Sequence, residues 1–507
     1  MLSNCFGAAL ALGFLIIGSS LAEAAETGVP MTKFPPIAPR IRSVLEKVVA
    51  DHAARPLDNI TGGIAWGASY EMDALLEMYR ATDDPWYLEK FTVLADKVVA
   101  ARADKQGQRD WKGALRRGWL TGAHYTLGLP YPLLDTHGKP VLEIQTVANA
   151  GNNSTTITVT PAADGKTFTL TVTNDFRKSP LTKTFSGLTP ENVEAQVNSP
   201  GDASRYVSVR RLRNGIPRAY ASFTPPVGNV VLHGHHTGKI IAPLAQFASL
   251  VKREPKLTRF SPQATSYLTC AEEAIADMNG DWREAGDYGY FVFEKGIPFW
   301  SDGVPEPLNV LASTGTAYLN LFDATGKPLY RERAEKLARL IRREFIAQPD
   351  GTFLYYYWWG IVHTGWKPED KISVNTPRYA GAKHAEDTSH LQLSLRFIAE
   401  CYERKIVFSR EDLQRWAATF HKQLYKAAPD GGTMADNVAG AHVKAAGTYD
   451  GSIAGSALLG IIDPTVPDAC RTLFEAKLTP SSSRSVTLYG WSVLARIEAQ
   501  RKSSQRL

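Results

Sequence analysis

Residues 384–390, His384-Ala-Glu386-Asp387-Thr-Ser-His390, place two carboxylic acids and two histidines just before an apolar helical stretch. A carboxylate that orients or charges an imidazole turns it into a proton-transfer group near neutral pH. The spacing offers Thr388 or Ser389 as the helix N-cap, with both acids at the positive end of the helix dipole and His390 in the first turn beside them. The plain structural account is that Glu386 and Asp387 cap the helix and pair with Arg378 or Lys383.

Four further loops carry the same kinds of residue and also lead into apolar helical stretches. They are Asn59 to Trp66, His233-Gly-His235-His236, Pro305-Glu306-Pro-Leu-Asn309 and Gly447-Thr-Tyr449-Asp450. Helix N-termini present free N–H groups and partial positive charge, which suit a carboxylate-bearing ligand. The run Tyr355-Tyr-Tyr357-Trp358-Trp359, followed by Trp366, is either core packing or a set of faces on which sugar rings stack. Adjacent histidines such as His235 and His236 do not aim at one ion from a regular element, so they are expected to contact substrate or shape a loop, with no metal there.

These loops need a scaffold that brings them together, and an internal repeat describes it. Residues 74–95 and 317–338 are identical at nine of twenty-two positions without a gap. Each copy reads as a helix ending at Ala-Thr, a polar turn, a Pro and a second amphipathic helix, which is an αα-hairpin. Residues 388–404 and 408–427 form another pair, with Ser409 and Asp412 in capping-box spacing. Hairpins of this kind bury two apolar faces only against neighbours, and a closed series leaves no bare end. The expected fold is mainly α, an (α/α) toroid in two parts, 26–140 and 229–507. Loops feeding its inner helices would gather at one end around a central hollow. Residues 141–228 interrupt it with period-two Thr/Val alternation, and Asp164-Gly165 suits a two-residue hairpin turn with positive φ at both positions. That stretch reads as an inserted antiparallel β module.

At the N-terminus, residues 9–18 are apolar but too short to span a bilayer, and Ala22-Glu23-Ala24 fits cleavage after Ala24 or Ala25. No Lys or Arg precedes that run. Residues 1–25 are therefore expected to be a signal peptide, and the mature protein to be periplasmic or secreted. The net charge of +6 suits an acidic partner, while the lack of any Lys/Arg run argues against nucleic acid and the lack of a long apolar segment against a membrane span. Of four cysteines, Cys5 leaves with the signal, so Cys270, Cys401 and Cys470 form at most one disulfide.

Four segments carry a family resemblance: Ile297-Pro-Phe-Trp300 through Asn309, Ala317 to Ala338, Phe353 to Trp359, and Glu386-Asp-Thr-Ser-His390 with Val407 to Leu413. They resemble helical-toroid uronate-polysaccharide lyases of the glucuronan or alginate type, and the helical domain of uronyl 5-epimerases. The likeness covers about half of the chain, mostly after residue 290; the β insert departs from it and resembles an immunoglobulin-like module. It implies removal of the proton on carbon 5 of a uronate in an acidic polysaccharide. Asn309, with Arg378 or a protonated Glu386, would neutralise the sugar carboxylate. His390 would take the proton, and Tyr357 or Tyr379 would protonate the leaving oxygen. Asp387, His384, Trp66, Trp358, Trp359, His235, His236 and Tyr449 would contact substrate. No cofactor is expected, with assistance by Ca²⁺ left open. Three rivals remain: a uronyl 5-epimerase, which would share the proton removal and return a proton from the other face; a hydrolase using Glu306, Glu386, Asp387 or Asp450 as acid and base; and a noncatalytic glycan-binding or export protein.

Overall fold

The computed structural model describes residues 30, 33–122, 125–148, 151–176, 181–199, 206–479 and 484–504; the expected signal peptide lies outside them. Helices account for about half of the chain. Besides the short helices Val193–Val197 and Gly360–Thr364, they are α1 (Ala38–Ala53), α2 (Ser69–Thr82), α3 (Trp86–Ala100), α4 (Gly234–Arg253), α5 (Ser261–Ala276), α6 (Leu308–Thr325), α7 (Pro328–Arg343), α8 (Thr388–Glu403), α9 (Arg410–Thr419), α10 (Ala454–Ala457), α11 (Thr465–Lys477) and α12 (Ser485–Ser504). No described helix is long and apolar enough to cross a membrane.

The repeated hairpins form as their residues dictate. The turn after α2 bends at Asp83 with φ 59°, and the turn after α6 bends at Gly326 with φ 73°. Both residue types tolerate the left-handed region. Pro328 then occupies the first turn of α7, where its missing N–H is not needed. The capping box expected at Ser409 and Asp412 is present with both reciprocal bonds.

Burial separates two kinds of helix. In α7 the buried Tyr330, Ala334, Leu337, Ala338 and Ile341 recur every three or four residues, so a single face is covered. In α6 every residue from Leu308 to Leu321 is buried, and in α4 every residue from Gly234 to Val251. Such helices must be enclosed by neighbours. α2 packs on α4, α4 on α6, α6 on α8, α8 on α10 and α10 on α12, and α12 packs back on α2. Behind these inner helices, α3 covers α2, α5 covers α4, α7 covers α6 and α11 covers α10. Cys270, Cys401 and Cys470 are buried and unpaired, so no disulfide contributes among the described residues.

The β region lies between α3 and α4 and has its own core. Its strands are β1 (Tyr131–Leu134), β2 (Pro140–Thr146), β3 (Thr155–Pro161), β4 (Phe168–Asn174), β5 (Leu181–Leu188), β6 (Val207–Arg211) and β7 (Tyr220–Phe223). They make a three-stranded sheet, β1-β2-β6, and a four-stranded sheet, β5-β4-β3-β7. Alternating residues of both sheets, among them Ile144, Ile157, Leu170, Val172 and Val207, share one apolar core. The strands begin at Tyr131, ahead of the expected 141. The β3–β4 turn also differs from expectation. Pro161 pairs with Phe168 and Ala162 N–H donates to Thr167, which leaves a four-residue loop with Gly165 alone at positive φ. Asp164 instead uses its carboxylate to accept the Lys166 and Thr167 N–H groups. Where the chain enters and leaves this region, Leu120–Thr121 and Val231–Leu232 pair as short antiparallel strands.

Candidate active site

The segment before α8 is extended and held on both edges. Glu386 N–H donates to the Tyr355 carbonyl on one side, and Val438 N–H donates to the Glu386 carbonyl on the other. Thr388 N–H reaches Asp436, and Thr388 Oγ1 donates to Ala435. Alternation along this extended backbone sends the Glu386 and Asp387 side chains in different directions. Asp387, rather than Thr388 or Ser389, is the N-cap of α8, accepting the Ser389 and His390 N–H groups at 3.0 and 3.2 Å. Its other oxygen lies 2.5 Å from His390 Nδ1. Burial pushes the Asp387 carboxyl up, but His390, Ser389 and the backbone donors outweigh it and hold it well below the usual range. The charged carboxylate can only accept, so the imidazole proton sits on Nδ1 and Nε2 keeps its lone pair. No ion pair joins Glu386 or Asp387 to Arg378 or Lys383 among the described residues.

Glu386 has the opposite character. It is fully buried; burial and then the adjacent Asp387 charge raise its pKa well above normal, against a small lowering by Asn309. The carboxyl therefore holds its proton more tightly than an ordinary glutamate. Asn309, the second residue of α6, donates from Nδ2 to its two oxygens at 3.3 and 3.4 Å. Asn309 Oδ1 has no partner among the described residues. Tyr357 faces this pair and His390. Its ring stands edge-on to His390 at 5.2 Å between centroids and tilts over His384 at 5.2 Å. Its backbone N–H donates to His384, and its carbonyl accepts from Leu308 at the start of α6. Burial, then Glu386 and Asp387, push the phenol far above its ordinary pKa, so it keeps its proton.

Trp66 closes the group from the side of α2. Its ring lies 4.6 Å from His235 and meets His390 edge-on at 6.1 Å. Gly62, at φ +81°, makes this possible: a Cβ there would stand 2.7 Å from Trp66 and 2.9 Å from the Tyr125 hydroxyl. Asn59 Oδ1 accepts from Ala65 N–H, which fixes Nδ2 as the group facing His236 Nδ1 at 3.1 Å. The His236 proton then lies on Nε2. His235 is buried with neither ring nitrogen hydrogen-bonded among the described residues, and burial first, then the neighbouring His236, His233, His390 and Lys239, hold it well below its ordinary pKa. Close by, burial and then Asp281 push Glu306 up to about 8. Room for that carboxyl exists because residue 234 is glycine, where a Cβ would sit 2.4 Å from Glu306 Oε1.

The structure thus gathers Trp66, His235, His236, Asn309, Tyr357, His384, Glu386, Asp387 and His390. The remaining candidates have other neighbours, although Trp358 packs directly on Tyr357. Trp359 is buried in the main core and donates to the Glu306 carbonyl at 2.9 Å. Trp358 is buried against Tyr357 and Trp300. Tyr379 pairs with Trp366 through the backbone and stacks beside Trp366 and Trp300, with Arg378 exposed next to it. Tyr449 is buried against Lys444. Asp450 accepts from Thr433 Oγ1 and Met434 N–H and so pins a loop. Tyr125, whose ring meets His236 at 5.1 Å, has no motif around it that marks it in the sequence.

One ligand atom each from Glu386, Asp387 and His390 lies within 4.8 Å of the others, a spacing open to a cation. Comparison with known proteins finds no matching family model and no match among curated proteins. Among solved structures, a polysaccharide lyase is 12% identical over 96% of this chain and 99% of its own, with a TM-score of 0.40. A family 76 glycoside hydrolase from a bovine Bacteroides thetaiotaomicron strain is 11% identical over 74% of this chain and 99% of its own, with a TM-score of 0.32. At these scores neither likeness assigns a fold or an activity.

Proposed function

We propose that this protein is an exported polysaccharide lyase that cleaves a uronate-containing glycan by β-elimination, on a toroid whose inner helices are α2, α4, α6, α8, α10 and α12. The return of α12 to α2 supports the ring, and the apolar N-terminal run in the sequence supports export. One observation carries the chemistry: a histidine with a bare Nε2, fixed through Nδ1 by a charged aspartate, stands edge-on to a protonated tyrosine beside a carboxyl of raised pKa.

A uronate C5–H becomes acidic only when charge on the adjacent carboxylate is neutralised. Glu386, holding its proton, donates a hydrogen bond to that carboxylate while Asn309 positions it. His390 Nε2 takes the C5 proton, and Asp387 stabilises the resulting imidazolium. Tyr357 gives its proton to the leaving oxygen as the C4–O bond breaks and the C4–C5 double bond forms. Asp387 is poorly placed as a hydrolase nucleophile, since both its oxygens are already held by His390, Ser389 and the backbone. Incubation with glucuronan and alginate tests the reading: ultraviolet-absorbing unsaturated ends are expected. New reducing ends without that absorbance would replace the lyase with a hydrolase, and binding without product would leave a glycan-binding protein.

A further inference from the structure

Polar side chains continue down the inner helices away from the candidate site. On α4, Lys239 follows His235 by one turn; on α6, Ser313 and Thr316 follow Asn309 at helical spacing, so each set shares a face. All are buried. Among the described residues, Lys239 Nζ, both His235 ring nitrogens, Ser313 Oγ, Thr316 Oγ1 and Gln392 Oε1 have no hydrogen-bond partner. Tyr70 of α2 ties the helices together, for Lys239 Nζ stands 3.3 Å from its ring centroid and Gln392 Nε2 donates to its hydroxyl at 3.4 Å. Deeper still, Arg396 pairs with Asp73, and a cavity of about 430 Å³ opens between Glu77, Gln246, Asp323, Glu400, Arg404 and Arg496. The candidate site uses the N-terminal ends of α4, α6 and α8 and the cavity uses their C-terminal ends, roughly 20 Å apart at 1.5 Å per residue.

Buried polar atoms in native proteins are nearly always hydrogen-bonded, to water if to nothing else. So many unpartnered groups on packed helices would be costly in a dry core. We propose that the facing polar edges of α2, α4, α6 and α8 enclose a water-filled shaft that passes protons between the candidate site and the far cavity, with the Lys239 amine as its midpoint. Burial lowers Lys239 to about 7, against the pull of Asp73, so the amine takes up and releases a proton near neutrality. The use of the shaft in turnover rests on the lyase reading. The proton taken from carbon 5 by His390 passes through water to the neutral amine, and the ammonium releases it to water in the cavity. Cleft solvent restores the proton that Tyr357 gives to the leaving oxygen, so no net proton is made.

Thr316→Val tests the shaft itself, since it replaces a hydroxyl by a methyl at nearly constant volume. In a dry core the change removes an unsatisfied group and raises Tm; in a hydrated shaft it strips a water of a partner and lowers Tm. A lowered Tm is expected, and a raised one overturns the proposal. Lys239→Met, assayed on glucuronan, tests the relay. Its kcat is expected to fall roughly tenfold, with KM little changed and with recovery on addition of methylammonium. Full activity, or a loss that methylammonium does not restore, overturns the relay. If the unmodified protein cleaves no uronate glycan the lyase reading falls, and the Thr316→Val result still decides the shaft.

Discussion

Glu77, on α2, and Glu386, just before α8, are both buried carboxyls, and they titrate in opposite directions. Burial raises Glu77, but Arg496 and Arg80 outweigh it and leave its pKa lowered. Burial raises Glu386 and the adjacent Asp387 charge raises it further, so it rises well above normal. The contrast extends along each end. At the far end, Arg396 pairs with Asp73 at 2.6 Å and Arg404 with Asp323 at 2.7 Å. At the other, His235, Glu306 and Glu386 are buried with no opposite charge hydrogen-bonded to them. Compensated charge holds helices together, whereas uncompensated desolvation sets proton affinities, and the second pattern marks a site for chemistry.

His390→Ala is expected to give the largest effect, a loss of about 10³–10⁴-fold in turnover, or about 4–5.5 kcal/mol of barrier, with Tm nearly unchanged. Steady-state rates on glucuronan check it; retained activity would remove the distinction between the two ends. Arg396→Met breaks the compensated end by leaving Asp73 buried without its guanidinium partner. Denaturant unfolding should show a loss of about 3–5 kcal/mol. A loss under about 1 kcal/mol would fit a surface pair instead. Asn309→Ala removes a single neutral donor from Glu386 and should lower kcat by about a hundredfold; an unchanged kcat would make Asn309 a packing residue.

A further prediction concerns pH. Glu306 is raised to about 8, so the folded chain keeps a proton that the unfolded chain gives up above about pH 4.5. Its contribution to stability is full below that lower value and falls as pH rises toward 8, by about 1.4 kcal/mol per pH unit. Glu306→Gln should flatten this slope and gain on the parent protein as pH rises from 5 to 8. Parallel stability curves for the two proteins would show that Glu306 ionises freely.

The helical repeat, the Ser409–Asp412 cap and the β insert were legible because local patterning decides them. The site was legible where one helix start carried several groups, as with Glu386, Asp387 and His390. Asp387 displaced Thr388 and Ser389 as the cap because its two oxygens satisfy backbone donors and the imidazole at once. The placing of Tyr379 was not legible, since Trp300 and Trp358 link its ring to Tyr357 through packing that no local pattern marks. The run 355–359 could not show which rings face the core, because its backbone is irregular and no fixed period applies. Lys239 was readable as a lone cation one turn after His235 in an apolar helix. Tyr125 was not, because its contact with His236 spans the whole β insert.

The paired strands Leu120–Thr121 and Val231–Leu232 have an evolutionary consequence. A segment whose two ends are already hydrogen-bonded to each other leaves, when lost, a gap of only one strand spacing, about 5 Å. A lineage can therefore gain, shed or exchange this cassette in a single genetic event, with α3 and α4 still joined by a short link.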